Sequence, residues 1–562
     1  MLLSAFLLVS ALAGQVLPAQ ALESLQLTRQ PTRRTDPDEN VRLAWARDQV
    51  INTRLKYRSL LDEPGRERLA RDVRRHTDEI ERLQRRAKRD GANADIVNWG
   101  RDTQFTAPVT FGNQEFELVV DTGSGSLWVF VECTNQTECG GVPLYDPSKS
   151  ATYTALNSAG DFSIQYGVGT ADGIWGQDAV SMGGESHPNT TFGEVNHSTE
   201  WEGQGTNISG LIGFSWPGAG SLIQDKEFVM PLWYELAKKW DNKAFSMYLQ
   251  RETVTMNSTQ EMVSMATPGG VITLGGWDPT YFSGDINFVD FTAAAKQNLA
   301  YWQIPVEGAS IKGKALSIGG GGKDMPSQAA AEVMFDSGTT LILGPASQVG
   351  QFYDAIEGSF EYPQPGSGNY MFPCDTIPHF DLKFTFGGVD YPIYDNDMVA
   401  ASYSREYLQS FGGTGDKFRG AEHWCMGAIA ATEDSSPPWI FGDAFLKNVY
   451  TVYRADPPSI GLARVNEQVN NTFQGDHPTF EKPSSSVSQP QPDKTGTAAS
   501  GASGSGSGSD KPSASKTGAD AGKTSSASGG GSGNDGEKKD SSAARVTVGA
   551  AVAFAAGVAL LF

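Results

Sequence analysis

Glu117-Leu118-Val119-Val120-Asp121-Thr122-Gly123-Ser124 and Val333-Met334-Phe335-Asp336-Ser337-Gly338-Thr339-Thr340 are two copies of one pattern. Each is an apolar strand ending in an aspartate, followed by a hydroxyl residue, a glycine and a second hydroxyl residue. Farther along, each copy meets two apolar residues and a glycine, Leu211-Ile212-Gly213 in the first case and Ile440-Phe441-Gly442 in the second. A repeat of so long a period predicts two similar lobes related by a pseudo-twofold axis.

The pattern carries a chemistry. An apolar strand delivers each carboxylate to a buried place, where ionisation is costly unless compensated. The glycine lets two backbones come close, and the hydroxyls of Ser124 and Thr339 can donate to the carboxylates. If the two loops meet, Asp121 and Asp336 face each other. Two like charges a few ångströms apart cannot both ionise easily, so the pair shares one proton over an acidic range. One carboxylate then acts as base on a water and the other as acid on a carbonyl. This scheme needs no metal, cofactor or covalent nucleophile, and none is expected.

Outward from the two loops the sequence reads as all-β. Short apolar runs such as Phe116–Val120, Leu127–Val131, Phe162–Tyr166, Val271–Leu274, Ile304–Val306 and Tyr450–Tyr453 are punctuated by turn residues. Leu232–Trp240 and Ala346–Ile356 are the best helix candidates. The net charge of −21 argues against a nucleic-acid partner, which asks for a basic face. The six histidines make no HExxH, and there is no CxxC pair, GxSxG or GxxxxGK[ST]. Zinc, nucleophile-elbow and P-loop chemistries are therefore not indicated.

The ends of the chain read as processing signals. Residues 1–21 are uncharged, with an apolar stretch Leu2–Leu12 and an A-x-A site at Ala19-Gln20-Ala21, as in a signal peptide. Residues 22–89 hold 18 Lys/Arg against 12 Asp/Glu and end in Lys88-Arg89, a dibasic site. This basic, helical-looking segment reads as a removable propeptide. Residues 90–470 are the globular domain, with a lobe boundary near 290–300. Residues 471–534 are a Ser/Gly-rich stalk, too polar to order itself; about 50 such residues span ~40 Å. Residues 535–562 read as a GPI-attachment signal, since the apolar tail Val546–Phe562 has no charge after it. Asn534 is the candidate attachment residue, with Ser532 and Gly533 competing. The expected route is through the secretory pathway to the cell surface, at the plasma membrane or wall. Six sequons, at Asn135, Asn189, Asn196, Asn207, Asn257 and Asn470, fit that route, and four cysteines could then pair.

At the two D-[TS]-G-[ST] loops and their later apolar-apolar-Gly partners the chain resembles the pepsin-like aspartic proteases, over roughly 100–465. The resemblance implies a bilobal β fold with a central cleft. It makes Asp121 and Asp336 the catalytic dyad, supported by Gly123, Ser124, Gly338 and Thr339, with Thr122 and Ser337 bonding across to the opposite loop. Phe162-Ser163-Ile164-Gln165-Tyr166-Gly167-Val168-Gly169-Thr170 looks like the flap, Tyr166 and Gly167 closing over substrate and Trp128 partnering the tyrosine. Tyr301-Trp302-Gln303-Ile304 resembles the strand lining the primed side of the cleft. Four cysteines allow three pairings; the resemblance selects Cys133–Cys139 and Cys374–Cys425. Gly125-Ser126 stands where the family more often has Ser followed by Asn or Asp, and residues 251–269 and 318–327 read as inserted loops. The layout as a whole looks like the fungal surface proteases called yapsins. It implies a monomer acting on proteins or peptides. The alternatives are a pepsin-fold binding or inhibitor protein that has lost catalysis, and a glycosidase using two carboxylates. The first should show a damaged dyad or flap, and the second does not explain why both acids sit in the same hydroxyl-glycine loop.

Overall fold

The computed structural model describes residues 23–30, 49–74 and 104–469, apart from 52, 135–138, 167–169, 200–206, 225, 252–266, 319–330, 363–366, 411–416, 419, 433–438 and 467–468. The chain divides into one unit over Met1–Ser486 and another over Val487–Phe562, and all described residues lie in the first. The signal peptide, the dibasic site, the stalk, Asn534 and the apolar tail fall outside them. So do Asn135, Asn257, Asn470, Gly167 and most of the two inserted loops.

The fold is all-β and bilobal, with a few short helices. The first lobe is built on the strand Gln114–Asp121, which runs parallel to Ile208–Gly213 and places Asp121 beside Gly213. Leu127–Phe130 then returns antiparallel to Ile208–Gly213. The second lobe repeats this. Ala331–Phe335 runs parallel to Trp439–Phe441, and Ile342–Pro345 returns antiparallel to it. The apolar-apolar-Gly motifs explain themselves here. Each glycine passes directly under an aspartate loop: a Cβ at Gly213 would stand 2.5 Å from the Ser124 carbonyl oxygen, and one at Gly442 2.0 Å from that of Thr339.

Between the lobes, antiparallel strands Phe282–Asp290, Pro458–Val465, Val449–Ala455, Ala244–Leu249 and Thr267–Leu274 join the first-lobe strands in one fourteen-stranded sheet. The basic segment ahead of the domain enters this sheet. It begins not as a helix but as the strand Glu23–Gln30, seated between Thr267–Leu274 and Gln104–Phe111. Alternating Leu25 and Leu27 with polar neighbours suits a strand, a pattern masked by the helix-favouring charge farther on. Helical turns follow at 49–51 and 53–56, and a helix at 63–74.

The two sequence-predicted helices form as Leu232–Ala237 and Ala346–Tyr353, each shorter than expected. Each starts after a proline, Pro231 and Pro345, whose fixed φ suits a helix entry. Beneath the two aspartate loops lies a buried aromatic pile. Trp302 packs on Trp216, Trp233, Phe245 and Tyr453. Its indole N–H donates to the Phe214 carbonyl at 2.7 Å, and the Phe214 N–H donates to the Asp121 carbonyl at 2.7 Å. Large rings of this kind bury on the order of 200 Å² each, so the loops rest on a stiff base.

Candidate active site

The two loops meet and bind each other symmetrically. The Thr122 N–H donates to Ser337 Oγ at 3.1 Å, and the Ser337 N–H donates to Thr122 Oγ1 at 2.9 Å. Each hydroxyl passes the bond on to the strand of the opposite lobe, Thr122 to the Phe335 carbonyl and Ser337 to that of Val120. Asp121 accepts from the Gly123 N–H at 2.8 Å and Ser124 Oγ at 2.6 Å. Asp336 accepts from the Gly338 N–H at 2.9 Å and Thr339 Oγ1 at 2.5 Å. The glycines are required by closeness. A Cβ at Gly123 would lie 2.3 Å from Asp336 Oδ1, and one at Gly338 2.4 Å from Asp121 Oδ1. Each carboxylate is thus pressed against the loop of the other.

A cation and a phenol from the basic segment sit on this pair. Lys56 Nζ lies 2.9 Å from Asp121 Oδ1 and 2.9 Å from both Asp336 oxygens. Tyr57 OH donates to Asp336 Oδ2 at 2.7 Å, its ring edge-on to Tyr301. The apolar and small residues Val50, Thr53 and Tyr57 lie on one helical face and are buried. Asp121 and Asp336 are only 1% and 0% exposed under this cover.

The electrostatics follow from the geometry. Burial raises the Asp121 carboxyl, with Asp336 adding to the rise and Lys56 opposing it. Burial also works against ionised Asp336, but Lys56, Thr339 and Tyr57 outweigh it and hold this carboxyl below its usual value. Burial by itself would depress the Lys56 ammonium; the two carboxylates carry it well above its usual range. The Tyr57 phenol is pushed up by burial first and then by the Asp336 charge.

Above the loops, the strands Asp161–Gln165 and Thr170–Met182 form a hairpin. Tyr166 stands at its end, and Trp128 Nε1 donates to its hydroxyl at 2.6 Å. Gly125-Ser126 proves to be a local accommodation. A Cβ at Gly125 would stand 2.8 Å from the Trp216 carbonyl oxygen, while Ser126 Oγ accepts from the Ser221 N–H at 3.0 Å. A serine hydroxyl thereby ties the first loop to the segment after Gly213.

Both disulfides have the pairing that the resemblance selects, Cys133–Cys139 and Cys374–Cys425. Of the described sequons, Asn189 and Asn207 are exposed, whereas Asn196 is partly covered. Among the described residues there is no acidic, His or Cys cluster suited to a metal, and no helix is long and apolar enough to cross a membrane. Nothing in the sequence analysis marks Lys56 and Tyr57, whose segment reads there only as a basic, removable propeptide. The available signal is Val50, Thr53 and Tyr57 at helical spacing, an apolar and small face in so basic a stretch.

A model of the eukaryotic aspartyl protease family matches residues 104–465. Major aspartyl peptidase 1 of Cryptococcus neoformans var. grubii is 32% identical over 454 residues, covering 79% of this chain and 85% of that protein. Cathepsin D of Chionodraco hamatus is 31% identical over 373 residues, covering 65% and 81%. Chymosin of Callithrix jacchus is 26% identical over 433 residues, covering 75% and 94%. The family match spans both aspartate loops and the strands that cross beneath them: the chain belongs to the eukaryotic aspartyl protease family, and is a pepsin-like aspartic-type endopeptidase.

Proposed function

We propose that the chain is the latent precursor of an endopeptidase in which Asp121 and Asp336 hydrolyse peptide bonds at acidic pH through an activated water. The observation that carries this reading is the place of Lys56 Nζ. It touches both carboxylates at 2.9 Å, the position from which one water could bridge them once the lysine has gone. One carboxylate would take a proton from that water while the other gives one to the scissile carbonyl. The Gly123 and Gly338 N–H groups and the Ser124 and Thr339 hydroxyls hold the carboxylates in place. Tyr166, tethered by Trp128, would close over the substrate as the hairpin moves. An intact dyad and flap tyrosine speak against the inactive binding-protein alternative.

Latency comes from Lys56 and Tyr57, and cleavage after Arg89 would release them. The signal peptide, sequons, stalk and apolar tail support export and a GPI tether that lifts the cleft above the membrane. Substrates would then be neighbouring proteins and peptides. The direct test is peptide cleavage by the full precursor before and after acid treatment, with and without pepstatin. Pepstatin-sensitive activity that emerges together with loss of residues 22–89 supports the reading, and activity indifferent to pepstatin refutes it. For the tether, peptides from Val546–Phe562 detected in the mature protein would refute GPI processing.

A further inference from the structure

The second aspartate loop rests on one turn of helix. Asp443–Leu446 follows Gly442 directly, and the N–H groups of Asp443 and Ala444 donate to the Thr339 and Thr340 carbonyls at 2.8 and 2.9 Å. The chain leaves this turn through Lys447 and Asn448, into a buried knot of charge. Lys447 Nζ lies 3.3 Å from Asp397 Oδ1. Arg251 donates to Asp397 Oδ2 from Nε at 2.8 Å and from Nη2 at 2.5 Å, and its Nη2 also reaches Asn448 Oδ1 at 2.6 Å. Asn448 Nδ2 closes the ring, donating to Asp397 Oδ2 at 3.0 Å and back to the Ala444 carbonyl at 2.9 Å. The side chains of Arg251, Asp397 and Lys447 are 8%, 5% and 3% exposed. They come from three places in the fold. Arg251 lies just past the sheet strand Ala244–Leu249, Asp397 belongs to the turn Asp395–Met398 of the second lobe, and Lys447 ends the helical turn. The first loop is seated on neutral groups instead: Ser215, whose N–H donates to the Ser124 carbonyl, gives its hydroxyl to the Ala300 carbonyl at 2.6 Å and accepts from Trp233 Nε1 at 2.7 Å.

We infer that Asp397 is a positioning residue for the second carboxylate: held by Arg251 and Lys447, it fixes the far end of the helical turn whose near end carries the Asp336 loop. The inference rests on the endopeptidase reading above. Two cations converging on one buried carboxylate make a stiff joint, because none of the three can leave without stranding charge away from water. The stiffness has a path to the dyad. Asn448 binds both Asp397 and the Ala444 carbonyl, and the turn then holds the Thr339 carbonyl through the Asp443 N–H. The Thr339 hydroxyl in turn donates to Asp336 Oδ2 at 2.5 Å. A loosened joint lets that hydroxyl lose its aim, and ionised Asp336 then lacks a donor that favours the charged form. The charged groups near Asp336 are Lys56 and Asp121, with Asp443 buried at the start of the turn. Those facing Asp397 are Arg251 and Lys447; the other acid at the head of its turn, Asp395, is held by His379 at 2.8 Å.

The test uses the mature enzyme, obtained by processing the full chain, and follows peptide cleavage across the acidic range. Asp397→Asn keeps the shape of the side chain and leaves Arg251 and Lys447 without their anion. Its kcat should fall about fivefold to tenfold while KM stays within about twofold. The acidic limb of its kcat profile should move upward by about half a pH unit. Arg251→Lys keeps the charge and loses the fork, so it should shift the limb in the same direction by less, and it carries the test if Asp397→Asn does not fold. Val180→Ala, at a buried position of the first lobe, is the control for destabilisation alone: it should lower the melting temperature and leave the limb in place. A lowered melting temperature with an unmoved limb in the Asp397 and Arg251 variants overturns the positioning role, and so does an equal shift in Val180→Ala. Absence of any cleavage by the unmutated mature enzyme overturns the endopeptidase reading itself, and the positioning role with it.

Discussion

Asp121 and Asp336 receive matched bonds from their own loops, a glycine N–H and a hydroxyl each, yet their surroundings differ. Tyr57 donates to Asp336 alone, and Lys56 makes two of its three contacts there. The hairpin bearing Tyr166 covers the first lobe's loop, whereas Gln49 and Val50 rest on the second lobe. The repeat in the sequence fixes the local geometry of each carboxylate; what tells the two apart comes from segments outside the repeat. A near-symmetric pair can thus be split into one carboxyl held high and one held low without any change in the loops themselves.

The largest effect should come from breaking the pair. Asp121→Asn or Asp336→Asn is nearly isosteric, and either should lower kcat by at least about a thousandfold while the melting temperature of the processed protein stays within a few degrees. Because the monoprotonated pair is the competent form, the unmutated enzyme should show a bell-shaped pH profile centred below neutrality. Substantial cleavage by either variant would refute the assignment of the dyad.

Next in size is the cation between them. Removing one partner of a buried ion pair costs about 3–5 kcal/mol, so Lys56→Met should leave a precursor that shows activity without processing. The pH dependence distinguishes the two carboxyls. Asp336 has a lowered value in the folded precursor, so its contribution to stability is present above the ordinary 3.8 and fades as pH falls through the lowered value. In an Asp121→Asn precursor, which cannot cut itself, the melting temperature should therefore drop as the pH goes below 3.8. Adding Lys56→Met should flatten that drop. An equally steep drop in the double variant would show that other carboxylates govern it.

The smallest effect should sharpen the comparison of the hydroxyls. A hydrogen bond to a charged group contributes about 1.5–3 kcal/mol. Thr339→Val should move the acidic limb of the pH–rate profile upward by about one to two pH units. Ser124→Ala should move it less, since Asp121 is the carboxyl held high by burial. Equal shifts would mean that the asymmetry of the precursor does not survive maturation.

Much of this was legible in the residues. An aspartate at the end of an apolar strand, repeated with its later glycine, is a local pattern, and local patterns survive in sequence. The crossed bonds of Thr122 and Ser337 follow once two such loops are brought together. Lys56 and Tyr57 are harder to find, because a short apolar face in a charged segment does not say what it packs against; their role exists only through a fold that brings them across more than one lobe. The strand Glu23–Gln30 was missed for a similar reason. Its partners, Thr267–Leu274 and Gln104–Phe111, lie far away in sequence, and a short alternating run pairs only when such an edge is offered. Gly125 was visible as a departure, but its reason, the Trp216 carbonyl against it, is a tertiary contact.

The strand Glu23–Gln30 gives the basic segment a second hold on the domain, in the sheet. Glu23–Gln30 is an interior member of the sheet, with Cα partners on both flanks. Once it leaves, Thr267–Leu274 faces a slot with a row of bare amides and carbonyls on one side, an open template for any passing extended chain. Removal of residues 22–89 would therefore change the sheet as well as uncover the carboxylates. The same segment that covers the carboxylates through Lys56 thus also completes the sheet, so that cover and sheet are built from one stretch of chain.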